Sequence, residues 1–439
     1  MTATNLLLAA TALLALCALT GCVYRWPGSG IALFAAAQLQ ETGRTHSAAL
    51  VDGPIGLMTT DVLTLVLLGA TLLNWLRHRP RTHPALLALL ALLALTAGSV
   101  LRGAAVFGVP HAGNEARTAF LQVLCAALFT ATLPDPRAAL RQLARVWVAC
   151  AFALAALAVM WWAQAGIGAS SGTVLIDGEL QDARPMGAPE ALLIGQAAVL
   201  LLYGTLGRRA RPLAWPLLLV VVLMQHRTAW VATAAMLAVL LLTRRAGGLS
   251  RPLRLLYATV LASVCAGALA LGSGGHVTSS LVASGEDAHT LDWRLSGWSA
   301  LLGQARDGAD WLLGLPFGSG YARLAGGVLI TVSPHNYYLQ LTLRIGLVGL
   351  AAFLLLYALL WRSAPRLSPD LARGLPLRAL LCGQLVFCAA DPSYPEQALL
   401  LGLFIACTRP ERTSDPESCH VPQNRTDHRH HRPGRLVPR

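Results

Sequence analysis

The sequence predicts an all-α integral membrane protein with about twelve transmembrane helices and a large, partly helical outer loop between the ninth and the tenth. Composition is the first reason, because the 439 residues are 55% hydrophobic and only 13% charged, with a mean hydropathy of +0.56. The second reason is a series of apolar runs of membrane-spanning length. The third is that arginine-rich linkers follow every second run, as cytoplasmic loops do.

The apolar runs define the predicted helices in chain order. They lie near residues 5–22, 56–76, 85–102, 117–133, 146–164, 190–207, 212–224, 229–243, 255–272, 335–361, 378–390 and 396–408. The stretch 212–243 could also form one interrupted helix around the polar turn at 225–228. Two crossings are favoured, because a single one would put the basic segments 208–211 and 244–254 on opposite sides of the membrane. Both termini are then cytoplasmic.

This pattern divides the chain into four regions. We expect nine helices in 1–272, the large outer loop in 273–334, three further helices in 335–408 and a disordered basic His/Arg-rich cytoplasmic tail in 409–439. Within the outer loop, Trp298, Leu301 and Leu302 are spaced for one face of an amphipathic helix. A glycine-rich stretch follows at 314–321. The tryptophans favour a folded cap over a mobile linker.

The net charge of +13 does not indicate nucleic-acid binding, because the basic residues lie in short linkers between apolar runs. The nine cysteines show no paired spacing, and most of them lie within apolar runs. The outer segments contain acidic residues but no DxD pair, which disfavours metal-dependent group transfer. No metal or other cofactor is therefore predicted.

A polar segment enters the tenth apolar run at His335. Ser333 can cap a helix whose first turn then holds His335 and Asn336, at the positive end of the helix dipole. An imidazolium is disfavoured there, so we expect a neutral His335 that can accept a proton. Tyr337 and Tyr338 are expected at the level of the lipid headgroups. A histidine that merely lies near a helix start is the simpler alternative.

Arginines are the other candidate functional residues in the segments predicted to lie on the outer side of the membrane. Arg227 marks the short turn between two apolar runs, Arg294 lies in the predicted cap helix, and Arg184 precedes the sixth run. Arginine holds a diphosphate through paired charge-assisted hydrogen bonds, and a neutral histidine can take the proton of an acceptor hydroxyl. The alternative is that Arg227 marks an interfacial turn and that Arg294 is a solvated surface residue.

Arg344 is predicted to lie well inside the tenth span, roughly thirteen ångströms beyond His335 at helical rise. A charge at that depth needs a partner or a water-filled cavity. Three carboxylates are candidate partners: Asp61, Asp391 and Glu396. The sequence does not choose among them.

Several of these residues resemble the motifs of one family, the O-antigen ligase and Wzy-type polymerase superfamily. The run 335–339, His-Asn-Tyr-Tyr-Leu, with Gly346 to Leu350 after it, resembles the family's HN-x-x-L and Gly-x-x-Gly signature. The run 294–298 resembles its Arg-x-x-x-Trp element, and 314–320 its glycine-rich stretch. Two weaker elements resemble a Ser-Arg motif at Arg227 and an Arg-x-x-Gly element at 184–189. His226 stands where the family usually has Ser, and Glu190 where Asn is common.

The resemblance implies glycosyl transfer at the periplasmic face of the bacterial inner membrane, without a metal or cofactor. The donor would be an undecaprenyl-diphosphate-linked glycan, and the acceptor either lipid A core, for a ligase, or a growing glycan, for a polymerase. It implies that Arg227 and Arg294 hold the diphosphate and that His335 is the base. The remaining candidates are predicted to bind substrate: Asn336, Arg184 and Tyr321.

Other functions remain open at this point. Transfer of a glycan to protein would use the same donor chemistry. A membrane transporter or a flippase for lipid-linked glycans would carry charged residues along a path through the bilayer, whereas only Arg344 is predicted to lie deep. A structural or sensor protein would tolerate replacement of the outer polar residues. Membrane lipid is the expected surrounding in every case.

Overall fold

The computed structural model describes nine stretches of the chain, and every structural statement below concerns these residues alone. They are residues 3–42, 56–80, 82–165, 173–176, 179–182, 185–243, 289–325, 328–367 and 375–409. The predicted ninth span at 255–272 and the tail beyond residue 409 lie outside them.

Most of the described residues are α-helical. The first eight helices are α1 (Ala3–Arg25), α2 (Pro27–Thr42), α3 (Thr59–His78), α4 (Pro84–Phe107), α5 (Val109–Ala116), α6 (Val123–Ala131), α7 (Pro136–Ala165) and α8 (Ala188–Tyr203). The others are α9 (Ala214–Leu223), α10 (Arg227–Thr243), α11 (His289–Leu302), α12 (Gly308–Leu313), α13 (Tyr337–Ser363), α14 (Leu377–Cys388) and α15 (Pro395–Cys407). Two antiparallel hairpins are exceptions to the all-α prediction: β1 (Thr173–Ile176) with β2 (Glu179–Asp182), and β3 (Arg323–Ala325) with β4 (Val328–Ile330).

Four of the described helices are long and apolar enough to cross a membrane, namely α3, α4, α7 and α13. Shorter apolar helical segments occur in α1, α2, α8, α10, α14 and α15. Length and composition thus indicate a multi-pass membrane protein. The total of about twelve spans and the loop position between the ninth and tenth stay predictions.

One segment predicted to be an outer loop is helical. Residues 23–55 separate the first two predicted spans, 5–22 and 56–76, but α2 occupies Pro27–Thr42 within them. Its apolar residues Ile31 and Phe34 recur at helical spacing and are fully buried. Because the run is short and interrupted by small residues, hydropathy alone does not mark it as a helix.

The stretch 212–243 forms two helices and not one interrupted helix. Helix α9 ends at Leu223 and α10 begins at Arg227. Between them Gln225 adopts a positive φ of 57°, a conformation that ends a helix. The Trp230 indole donates to the Val221 carbonyl at 2.9 Å and ties the two helices together across the turn.

Helix α13 is broken at Gly346, where φ is 69° and ψ is −174°. A Cβ at this position would lie 2.0 Å from the Leu312 carbonyl oxygen. Only glycine therefore lets the backbone of α12 lie this close to α13. The Leu315 N–H donates to the Leu343 carbonyl at 2.6 Å in the same gap. Arg344 therefore lies beside a break filled by outer-loop backbone, and not within a continuous span as predicted.

The centre of the bundle is α15, which is buried along its whole length. Gly402 brings it against α6, because a Cβ there would lie 1.9 Å from the Ala127 carbonyl oxygen. Buried amides then link the central helices. Gln196 donates to Gln397 at 2.6 Å, and Gln384 donates to the Gln397 carbonyl at 3.0 Å. Such bonds hold helices together where apolar packing has no advantage over lipid.

The described part of the predicted outer loop is folded. Leu301, Tyr321, Leu339 and Leu343 form a small apolar cluster, and Trp298, Leu302 and Leu315 pack against it. The predicted amphipathic face of α11 is thereby confirmed, since Trp298, Leu301 and Leu302 all face this cluster. The cluster joins α11 to the first half of α13 and places the cap over the N-terminal end of that helix.

Candidate active site

His335 lies between the β3–β4 hairpin and α13, and its side chain is 47% exposed. Helix α13 begins at Tyr337, and Asn336 is its N-cap, with the side-chain oxygen accepting the Leu339 N–H at 3.0 Å. The expectation that Ser333 caps the helix and that His335 and Asn336 form its first turn is therefore wrong. A short side-chain carbonyl at Asn336 reaches the N–H three residues on, which fixes the start there.

A carboxylate faces the His335 ring. The Asp391 Oδ1 lies 3.9 Å from the His335 Nδ1. Asp391 occupies the turn between α14 and α15 and is largely buried. The hydroxyl of Thr228, the second residue of α10, hydrogen-bonds the same carboxylate. The N-terminal ends of α10, α13 and α15 and the C-terminal end of α14 therefore meet around His335.

The surroundings of His335 and Asp391 shift the pKa values of both side chains. Burial lowers the pKa of His335, and the positive charges of Arg294 and Arg323 lower it further. Burial raises the pKa of Asp391 to about 6, opposed by the Thr228 hydrogen bond and by Arg294. At neutral pH His335 is thus neutral and Asp391 ionised. The direction for His335 matches the prediction, although the predicted cause, the helix dipole, is not the one found.

Two guanidiniums approach this pair from the cap. Arg294 lies in α11 and is half-buried, and its charge acts on both His335 and Asp391. Arg323 begins β3 and is buried. Sequence reasoning found Arg294 but missed Arg323, because no motif covers it. It considered Asp391 only as a partner for Arg344, although the position of Asp391 in a predicted outer turn was a usable signal.

Arg227 begins α10 and is exposed. It directly precedes Thr228, whose hydroxyl bonds Asp391, so it belongs to the same end of the bundle. The adjacent His226 contacts the Met186 carbonyl through Nε2 at 2.6 Å. Arg184 lies outside the described residues.

The tyrosines of this region contact other parts of the protein. Tyr321 is buried, with the Arg344 guanidinium 4.2 Å above its ring centroid, and its role in binding substrate stays a prediction. Tyr337 and Tyr338 donate to the carbonyls of Ala119 and Leu385, at 3.2 and 2.6 Å. Their hydroxyls therefore find partners within the helix bundle, and their position at headgroup level stays a prediction.

The partner of Arg344 is Glu115 in α5, and not one of the three predicted carboxylates. The Arg344 Nε donates to Glu115, and its two terminal nitrogens donate to the Ser319 hydroxyl and the Gly320 carbonyl. Glu115 also accepts the N–H groups of Gly318 and Gly320, at 2.6 and 3.2 Å. This ion pair fastens the glycine-rich loop to α5 and α13.

Residues 212–354 match the Wzy_C family model, described as O-antigen ligase. This stretch is similar to the O-antigen ligase family. It includes Arg227, Arg294, Arg323 and His335, and it confirms the resemblance noted from the motifs. No curated protein matches the chain. The family and the apolar helices together indicate a membrane-bound glycosyl transferase of O-antigen or polysaccharide assembly, which uses a lipid-linked glycan and an acceptor.

Proposed function

We propose that the protein transfers a glycan from undecaprenyl diphosphate to an acceptor hydroxyl at the periplasmic face of the inner membrane. The acceptor is lipid A core in a ligase or the end of a second glycan in a polymerase. The observation that carries the proposal is a neutral histidine that faces one carboxylate and feels the charges of two guanidiniums where four helix ends meet. That arrangement suits removal of a proton beside an anionic leaving group.

His335 acts as the base. Its Nδ1 faces Asp391, which leaves Nε2 to take the proton of the acceptor hydroxyl. As the proton arrives, the ring becomes an imidazolium and the ionised Asp391 stabilises it. The 3.9 Å separation exceeds a hydrogen bond, and we expect it to shorten when substrate fills the site.

The acceptor oxygen attacks the anomeric carbon as the bond from that carbon to the diphosphate oxygen breaks. The diphosphate leaves with the electron pair and gains negative charge. Arg294 and Arg227 stabilise this charge, so the leaving group needs no proton and no metal. Attack opposite the leaving group inverts the anomeric configuration.

Asn336 has a positioning role in this proposal and not a substrate-binding one. Its side-chain oxygen caps α13, and its neighbour His335 is thereby held at the mouth of the helix.

The test is complementation of strains that lack either a ligase or a polymerase for surface glycans, with lipopolysaccharide analysed on gels. The intact gene is compared with His335→Ala, Arg294→Ala and the control Arg306→Ala. Arg306 is an exposed arginine that follows α11 in the same cap, so its loss should be silent. Purified protein with a lipid-linked donor then measures turnover directly. Transfer that persists in both His335→Ala and Arg294→Ala, at equal abundance, contradicts the mechanism.

A further inference from the structure

Arg323 is a buried guanidinium beside His335 that none of the recognised motifs includes. It is 6% exposed and opposes Ile330 across the β3–β4 hairpin. Its Nη1 donates to two backbone carbonyls, those of Tyr321 at 3.0 Å and Val332 at 2.7 Å. Val332 lies three residues before His335, so these bonds tie the arginine to the segment that carries the base.

The charge of Arg323 has no counter-ion among the described residues. Both of its hydrogen-bond partners are neutral carbonyls, and its Nε is buried without a partner. The desolvation of such a group is costly unless an opposite charge completes the site. The ionisable and charged groups that face the neighbouring His335 are Arg294 from α11, Arg323 from β3 and Asp391 from the α14–α15 turn.

Two cations and one carboxylate leave this site with a surplus of positive charge. Arg227 adds a third cation at the same end of the bundle. If Arg323 only held the hairpin in place, a neutral hydrogen-bond donor would suffice, because the groups that accept its hydrogen bonds are backbone carbonyls. The retained charge therefore points to an anion that enters with the substrate.

We propose that Arg323 is a third anion-binding residue of the site, which with Arg294 holds the diphosphate of the lipid-linked donor beside His335. The proposal rests on the function proposed above and extends its donor site to a residue outside the family motifs. It assigns Arg294 and Arg323, on two elements of the cap, to the diphosphate, and Asp391 to the base.

Binding and turnover test the proposal separately. Wild type, Arg323→Gln, Arg323→Lys and the control Arg306→Gln are placed in phosphatidylcholine nanodiscs, which exclude anionic headgroups. Binding of undecaprenyl diphosphate is followed by intrinsic tryptophan fluorescence, with inorganic pyrophosphate as a competitor. We expect Arg323→Gln to weaken the binding of undecaprenyl diphosphate and of pyrophosphate by about tenfold or more, since charge-assisted bonds are lost. Arg323→Lys should lose less, and Arg306→Gln nothing.

The pH profile gives a readout that a structural role would not change. Asp391 sets one step of the acid limb, near pH 6, and His335 sets the other. Because Arg323 holds the pKa of His335 down, its removal should move the His335 step of kcat/KM to higher pH. Arg323→Lys retains the charge and should retain the limb. The contradicting result is that Arg323→Gln and Arg323→Lys lower abundance equally while the diphosphate affinity and the acid limb stay as in wild type. Arg323 would then have only a structural role in the hairpin, and the proposal would fail. Because the binding arm needs no turnover, it tests Arg323 even if glycosyl transfer is not found, an outcome that would overturn only the proposed function.

Discussion

Replacing Glu115 by glutamine removes the counter-ion of Arg344 while it preserves the shape of the side chain. The Arg344 side chain is 1% exposed, and Glu115 also accepts two N–H groups of the glycine-rich loop. Glutamine can keep one oxygen for those N–H groups, but its NH2 group then faces the Arg344 Nε, so both the charge and that hydrogen bond are lost. Removal of one partner of a buried ion pair leaves an uncompensated charge and costs about 3–5 kcal/mol. We expect Glu115→Gln to lower the free energy of unfolding by that amount.

A double-mutant cycle measures the coupling between Glu115 and Arg344. The cycle compares Glu115→Gln, Arg344→Met and the double variant by reversible unfolding in mixed micelles. Since the double variant leaves no buried charge, it should lose clearly less stability than the sum of the single losses, by about 1–3 kcal/mol. Asp61→Asn is the matched control. The Asp61–Arg117 pair is 3.3 Å apart and more exposed, at 15% and 19%, and its loss should cost less.

Two results would refute the reasoning about this pair. One is strict additivity of the single substitutions, which would mean that the charges do not interact. The other is a Glu115→Gln loss no larger than that of Asp61→Asn. Either result would show that Arg344 draws its stabilisation from the Ser319 hydroxyl and the Gly320 carbonyl alone.

Three further predictions concern the helix break and the base. Gly346→Ala should abolish the yield of monodisperse protein in size-exclusion chromatography, because φ is 69° and a Cβ would clash with the Leu312 carbonyl. The control Gly98→Ala should behave as wild type, because a Cβ at Gly98 would meet open space. His335→Ala should reduce kcat by about 10²–10⁴-fold at unchanged abundance, the range lost with a general base, in a turnover assay with lipid-linked donor. Activity should fall as the pH drops through about 6, the pKa of Asp391, and should be constant above it, because the mechanism needs a neutral His335 and an ionised Asp391. A pH–rate profile of Asp391→Asn is the comparison, because this variant lacks the carboxylate that titrates near pH 6.

Hydropathy predicted the long helices because it reports the lipid around them. The runs 56–76, 85–102 and 335–361 correspond to α3, α4 and α13. It failed at α2 and at the break of α13, for the same reason in both places. Both features depend on contacts with a distant segment of the chain, as Gly346 depends on its contact with the α12 backbone. The hydropathy of one segment does not report which other segment packs against it.

Residue motifs predicted part of the candidate site. The HN-x-x-L resemblance selected His335, and the Arg-x-x-x-Trp resemblance selected Arg294, whose charge acts on His335 in the structure. Asp391 and Arg323 required the fold, because the sequence does not say which outer turns meet. Glu115 was missed for the same reason: it lies 229 residues from Arg344 in the chain.

The ion pair and the candidate site are parts of one connected structure. Glu115 holds Arg344, Arg344 covers the Tyr321 ring, the Tyr321 carbonyl accepts from Arg323, and the charge of Arg323 acts on His335. The cap has only a small apolar cluster of its own, so its position depends heavily on these polar contacts. A residue as remote from chemistry as Glu115 should therefore alter the affinity for the donor more than the rate of proton transfer, because Asp391, which faces the base, is not part of this series of contacts.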